Sequence, residues 1–221
     1  MTSIRAMQAN EERGAGVAEE NVMDESVRSS AADPSRLPNT AHLIVLSGPT
    51  AVGKGTVVNR LRRDHPDVWV SVSVTTRPPR PGEVDGVHYL FVDAAEFDRL
   101  IADGELLEWA VVHGVHRYGT PRQPVLDALA AGRSAILELD LQGARQVRQT
   151  WPEAHFVFLA PPTWEELLHR QAIRNTEDPA ERERRLQTAR QEMAAQDEFD
   201  QTIVNTEVGQ AVADLVGLLG L

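Results

Sequence analysis

The chain has 221 residues, enough for one elaborated domain, and 42% of them are apolar, with no uninterrupted apolar run long enough to cross a bilayer. Its formal net charge of −11 argues against a sequence-independent grip on nucleic acid, which needs a basic surface, yet it allows a few arginines to focus on an anion in a cleft. With no cysteine there is no disulfide framework and no thiolate metal site, and the N-terminus carries no apolar secretory segment, so a cytoplasmic protein is expected.

Residues 1–40 are rich in Ala, Glu, Ser and Asn, show no sustained period, and read as a disordered tail. From Ala41 the pattern becomes that of a folded domain, 41–221. Residues 42–47 are a short apolar run bounded by Gly48-Pro49, the signature of a buried strand. A helix is expected over 54–64. Residues 68–75 alternate and are β-rich, and 88–92 are a further strand candidate. Asp93 then caps a helix, with Glu96 three residues on in a capping-box arrangement. Residues 106–112 read as strand, 123–131 as a helix stopped by Gly132, and 134–139 as a buried strand. Another strand, 155–159, is halted by Pro161-Pro162. Thr163 and Glu166 form a second capping-box pair opening a helix to about Ala172. A long charged helix follows over 180–196, then a short strand at 202–204 and an amphipathic C-terminal helix. Strands alternating with helices imply an α/β fold whose mainly parallel sheet is flanked by helices. Ligands in such folds collect beyond the carboxyl ends of the strands.

A glycine loop lies at one such end. It reads Gly48-Pro49-Thr50-Ala51-Val52-Gly53-Lys54-Gly55-Thr56, after a strand and before a helix. Its glycines let successive amide N–H groups point into one concavity, and the helix adds its positive dipole end. Lys54 is the only lysine in the chain; every other strong base is arginine. A compact ammonium on a flexible stem can reach the β- and γ-phosphates where a planar guanidinium cannot imitate it. The usual loop places Ser or Thr directly after the lysine, to touch Mg²⁺. Here Gly55 stands there and Thr56 comes one residue later, so Mg²⁺ is expected as a cofactor with no protein ligand assigned.

A second constellation begins at Ser73. Arg77 and Arg80 flank Pro78-Pro79, and the prolines stiffen the loop that presents the two guanidiniums. Arginine forks suit phosphate oxygens. Tyr89 and Tyr118 are the only two tyrosines and offer hydroxyls to the same kind of ligand. Glu108, in Glu105-Leu-Leu-Glu-Trp, is a carboxylate that could accept from N1–H and the exocyclic amine of guanine. Adenine has an acceptor at N1 and no 2-amino group, so the same carboxylate rejects it.

These blocks, together with the Arg117–Thr120, Ile136–Gly143 and Phe158–Pro162 stretches, the lid arginines and Ile203-Val-Asn205, resemble guanylate kinases from about His42 to the end, roughly four-fifths of the sequence. The resemblance implies a P-loop kinase with a GMP-binding subdomain at about 73–122 and a helical lid at about 163–197. It implies transfer of the γ-phosphoryl group of ATP to GMP, with dGMP as an acceptor left open. It places Gly48, Pro49, Thr50, Ala51, Val52, Gly53, Lys54, Gly55, Thr56 and Asn205 on ATP, Asn205 near the adenine. Ser73, Glu108, Glu138 and Asp140 face or organise the guanine pocket. Arg77, Arg80, Tyr89 and Tyr118 hold the GMP phosphate, with Thr120 a small hydroxyl in that site. Arg170, Arg174 and Arg185 close over the transferring group beside Lys54. Two departures stand out. Asn175 replaces a lid glycine, and the stretch from His113 to Tyr118 is one residue longer than the resemblance implies.

Two other functions fit parts of this pattern. A kinase of the same fold could use another monophosphate, which an acceptor panel separates. A non-catalytic module of the same family could bind phosphopeptides, but such modules lack a working phosphate loop. The partners expected are therefore ATP and GMP, with no nucleic acid, no membrane and no assigned oligomeric state.

Overall fold

The computed structural model describes residues 41–112, 114–173 and 179–221; the expected tail, residues 1–40, lies outside them. The first strand, β1 (Leu43–Ser47), is buried along its whole length. Strand side chains alternate between faces. Ile44 and Leu46 therefore join one core cluster while Leu43 and Val45 join another on the opposite face.

The first cluster is closed by α1 (Lys54–Asp64), which contributes Val57, Val58 and Leu61. Leu167 of α5 (Trp164–Ile173), Ala189 of α6 (Pro179–Ala194) and Leu215 of α7 (Val208–Leu218) complete it. The second is closed by α3 (Arg122–Ala130) through Val125 and Leu129, and by α4 (Leu141–Thr150) through Ala144 and Val147. Helices on both faces explain why the strands are apolar almost without interruption.

The main sheet has β1 at its centre. Its other members are β2 (Trp69–Val70), β7 (Ala135–Glu138), β8 (His155–Ala160) and β9 (Gln201–Val204), in the order β2-β7-β1-β8-β9, all parallel. The chain leaves β1 toward β2 and β7 on one side and returns to β8 on the other. The crevice at such a reversal is where an open α/β sheet binds ligand.

A second, four-stranded sheet stands apart, with order β4-β3-β6-β5: β4 (Leu90–Phe91), β3 (Val74–Thr75), β6 (His116–Pro121) and β5 (Leu106–Val112). Its β3–β6 and β5–β6 pairs are antiparallel and its β3–β4 pair parallel. Val74, Phe97 of α2 (Ala94–Ala102) and Leu106 form its small core. Residues 68–75 thus form two strands in different sheets. The chain crosses between them at Ser71-Val72-Ser73.

Helix α4 stitches the small sheet to the large one. The Gln146 amide exchanges two hydrogen bonds with the Trp109 backbone, at 3.2 and 2.6 Å, and Gln142 donates to the Val111 carbonyl at 3.3 Å. Side-chain amides thus satisfy part of the outer edge of β5, which would otherwise stay open. Of the two capping boxes, one half of each forms. Asp93 accepts from the Glu96 N–H and Thr163 from the Glu166 N–H, while Glu96 and Glu166 pair instead with Arg99 and Arg170. No described helix is long and apolar enough to cross a membrane.

Candidate functional site

The glycine loop joins β1 to α1 over the carboxyl ends of β1, β7 and β8. Gly48 and Gly53 have φ of +145° and +105°, values closed to other residues. A side chain at Gly48 would also strike the Leu159 carbonyl of β8. Between them, Ala51 lies at φ +73°, a left-handed conformation that costs about 1–2 kcal/mol for an L-residue. It persists because its neighbours are held from outside. Thr50 N–H donates to Glu192 at 2.9 Å and Thr50 C=O accepts from Gln171 at 3.1 Å. The Val52 carbonyl accepts from Asn205 at 2.9 Å and Arg170 at 3.0 Å. Lys54 curls back onto the Gly48 carbonyl and lies 3.5 Å from that of Pro49, so its ammonium stays inside the loop.

The loop forms one wall of a cavity of about 360 Å³. Ser71, Ser73, Tyr89, Glu108 and Tyr118 also line it, as do Glu138, Asp140 and Glu192. Glu108 is 5% exposed. Thr120, fully buried on the paired strand β6, donates to its Oε1 at 2.8 Å. Gly143 of α4 leaves room for its other oxygen: a Cβ there would lie 2.5 Å from Oε2. Burial pushes the Glu108 carboxyl up to about 7, against the Thr120 hydrogen bond and with help from Asp140. Burial also raises Asp140, which caps α4 by accepting from the Gly143 N–H at 2.8 Å. It raises Glu192 too, with Lys54 opposing. Tyr89, buried near Glu138, is pushed up to about 12 and stays neutral.

The arginine loop is braced by a carboxylate of its own. Arg77 is 7% exposed. Its Nε donates to the Tyr118 hydroxyl at 3.0 Å and its Nη2 to Glu83 at 2.9 Å. Nη1 donates to the Pro78 carbonyl at 2.6 Å, and Tyr89 and Phe91 stack beneath the guanidinium. The other Glu83 oxygen accepts from the Arg80 N–H at 2.7 Å. Burial works to raise Glu83, but Arg77 and the Arg80 N–H hold it below the usual range. Glu83, not Arg77, lines the cavity.

The cavity therefore gathers Pro49, Thr50, Ala51, Gly53, Lys54 and Gly55 of the expected donor loop with Ser73, Tyr89, Glu108, Tyr118, Glu138 and Asp140 of the expected acceptor pocket. Other expected residues sit elsewhere. Val52 points into the core and offers only its backbone, and Thr56 is exposed on α1. Asn205 is 3% exposed and lies behind the loop, holding Val52, so its visible work is on the loop. Thr120, expected at the acceptor's phosphate, sits on Glu108 instead. Its hydroxyl points at the carboxylate because β6 pairs Thr120 with Glu108. Arg80 is exposed. Arg170 rests on Glu166, Val52 and Asn205 rather than in the cavity, and Arg185 does not line it. Arg174 and Asn175 lie outside the described residues.

Sequence reasoning missed Glu83, Gly143, Glu192 and Arg62. Arg62 reaches from α1 to the Ser71 and Val87 carbonyls, at 2.8 and 3.0 Å, with burial lowering its pKa against the pull of Glu138. A signal did exist for Glu192. It falls three residues after buried Ala189, so a carboxylate shares the inward face of a helix.

A family model described as guanylate kinase matches residues 40–220. The chain is 63% identical over 177 residues to a guanylate kinase of Thermobifida fusca, covering 80% of this chain and 90% of that one. It is 61% identical over 178 residues to a guanylate kinase of Leifsonia xyli, covering 80% of this chain and 70% of that one. Among solved structures, the guanylate kinase of Anaplasma phagocytophilum superposes with a TM-score of 0.68 at 34% identity, over 83% of this chain and 87% of that one.

Proposed function

Because this chain belongs to the guanylate kinase family, enzymes that transfer the γ-phosphoryl group of ATP to GMP, we propose that its cavity holds both nucleotides, the donor on the Gly48–Thr56 loop and the acceptor opposite. The observation that carries this reading is Glu108. A buried carboxylate oriented by Thr120 shares one cavity with Lys54. Guanine offers two adjacent donors, N1–H and the 2-amino group, to such an acceptor. Adenine offers none there, and a buried carboxylate left unpaired is costly.

A phosphate oxygen of GMP attacks the γ-phosphorus in line, the bond to the β–γ bridging oxygen breaks, and ADP leaves. The protein supplies positioning and charge rather than a covalent nucleophile. Lys54 and the loop amides hold the donor. Arg77, Arg80, Tyr89 and Tyr118 hold the acceptor's phosphate. Arg170 and Arg185, with Arg174 between them in sequence, supply charge over the transferring group once the lid at 163–197 closes. The resting places of Arg170 and Arg185 outside the cavity suit a lid that delivers them only with substrate, so that water does not intercept the phosphoryl group.

Mg²⁺ fits as a partner of the nucleotide rather than of a dedicated protein cage. Among the described residues no three acidic or histidine side chains converge as a metal site, and a magnesium ion commonly keeps its waters and takes phosphate oxygens. Asp140 and Glu192 are the carboxylates that could face it through water, and the ion would neutralise charge on the β- and γ-phosphates. The substrates suit a cytoplasmic enzyme.

The test is ADP formation measured with ATP and, in turn, GMP, dGMP, AMP, CMP, UMP and dTMP. GMP should support the reaction strongly and AMP barely at all. Equal use of AMP and GMP would remove the base-reading role from Glu108.

A further inference from the structure

Thr50 is gripped from two helices far from it in sequence. Its N–H donates to Glu192 on α6, and its C=O accepts from Gln171 on α5. These helices lead out of and into residues 174–178, the tip of the expected lid. The next residue is the left-handed Ala51, and the one after that is held through its carbonyl by Arg170 and Asn205. A non-glycine residue in this region persists only when its surroundings over-determine it. Four side chains from α5, α6 and the end of β9 do so here.

Among the four, Glu192 is chemically the odd one. It is a carboxylate, 6% exposed, placed against a loop built to accept anions. Glutamine could accept the same hydrogen bond without a buried charge. What offsets the charge is Lys54 of the same loop, which favours the ionised carboxylate. Asp140 opposes it.

We propose that Glu192 is a positioning residue for the donor nucleotide: it fixes the Thr50 end of the phosphate loop in its anion-accepting shape and, with Gln171, ties that shape to the docking of the lid helices. This rests on the assignment of the Gly48–Thr56 loop to ATP.

The test is steady-state kinetics on the full chain with each substrate varied in turn. Glu192→Ala should raise KM for ATP about tenfold while KM for GMP stays within about twofold, the split that separates a donor-side role from a general loss of fold. Glu192→Gln, which keeps an acceptor oxygen for Thr50, should recover most of that loss. An unchanged KM for ATP in Glu192→Ala, a parallel rise in both KM values, or a glutamine variant no better than alanine each overturns the proposal. Should Glu192→Ala not fold, Gln171→Ala removes the opposite grip and should raise KM for ATP about threefold; no change there overturns it equally. Lys54→Ala reports on the loop itself. If that variant keeps its turnover, the loop assignment fails. If it loses turnover while the Glu192 variants keep a normal KM for ATP, only the present proposal fails.

Discussion

GMP binding should cost a proton at Glu108, and the cost should be measurable. Burial pushes this carboxyl from its ordinary 4.5 up to about 7. Guanine's two donors need it ionised. At pH 6 roughly nine-tenths of the empty sites carry the proton and at pH 8 roughly one-tenth, so GMP should bind about tenfold more weakly at pH 6, near 1.4 kcal/mol. The GMP phosphate also titrates near pH 6, and Glu108→Gln provides the baseline for that contribution. Calorimetric titration of both proteins at pH 6 and 8, in buffers of different ionisation enthalpy, reads affinity and proton release together. The wild type should show the extra tenfold dependence, and the glutamine variant only that of the phosphate, on a GMP affinity already weaker by about 2 kcal/mol. Stability provides an independent check with the opposite sense. A carboxyl whose pKa is raised by folding supports the fold below 4.5 and loses that support as pH rises through about 7. Without nucleotide, Glu108→Gln should therefore raise the Tm at pH 8 relative to pH 5, by a difference on the order of 3 kcal/mol in unfolding free energy. Parallel pH profiles for the two proteins, in binding and in melting, would refute the reasoning.

Three further substitutions probe the cavity. Lys54→Ala should lower kcat at least a hundredfold, roughly 3 kcal/mol of lost charge stabilisation, read by coupled ADP release. Gly143→Ala puts a Cβ 2.5 Å from Glu108 Oε2 and 3.3 Å from Asp140 Oδ1. It should raise KM for GMP by about tenfold or more, with KM for ATP little changed. Glu83→Gln weakens the brace on Arg77 and should raise KM for GMP several-fold, about 1 kcal/mol for a partly buried charge-assisted hydrogen bond; unchanged GMP kinetics would mean that Tyr118 and Pro78 orient the guanidinium without it.

The elements that were plain in the sequence are those with strong periods or strong punctuation. β1 is an apolar run ended by Gly48-Pro49, and α1 appears over its full predicted span, Lys54–Asp64. β6 and α4 gave no such signal. His116–Pro121 holds few β-branched or large apolar residues, and its strand character comes from pairing with β5. Helix α4 carries Gly143 in its first turn, where a side chain would meet Glu108 of another element and the capping Asp140. The same limit governs the cavity. The loop, Glu108 and the two tyrosines were legible because each chemistry is local. Glu192 was not, because Thr50, its partner, is 142 residues away. The Thr120 contact with Glu108 was not legible either, because it depends on strand register, which local sequence does not encode.

The position of Lys54 also shapes how this chain can be handled chemically. Its ammonium is the only lysine amine in the molecule, and it lies within the cavity against the carbonyls of its own loop. Reagents that acylate or reductively alkylate lysine thus have one side-chain target, and that target lines the cavity. Dye conjugation at lysine therefore acts inside the cavity rather than on the protein's exterior. A handle elsewhere must be introduced by substitution, and cysteine, which the native sequence lacks entirely, gives such a handle without competition from the existing side chains.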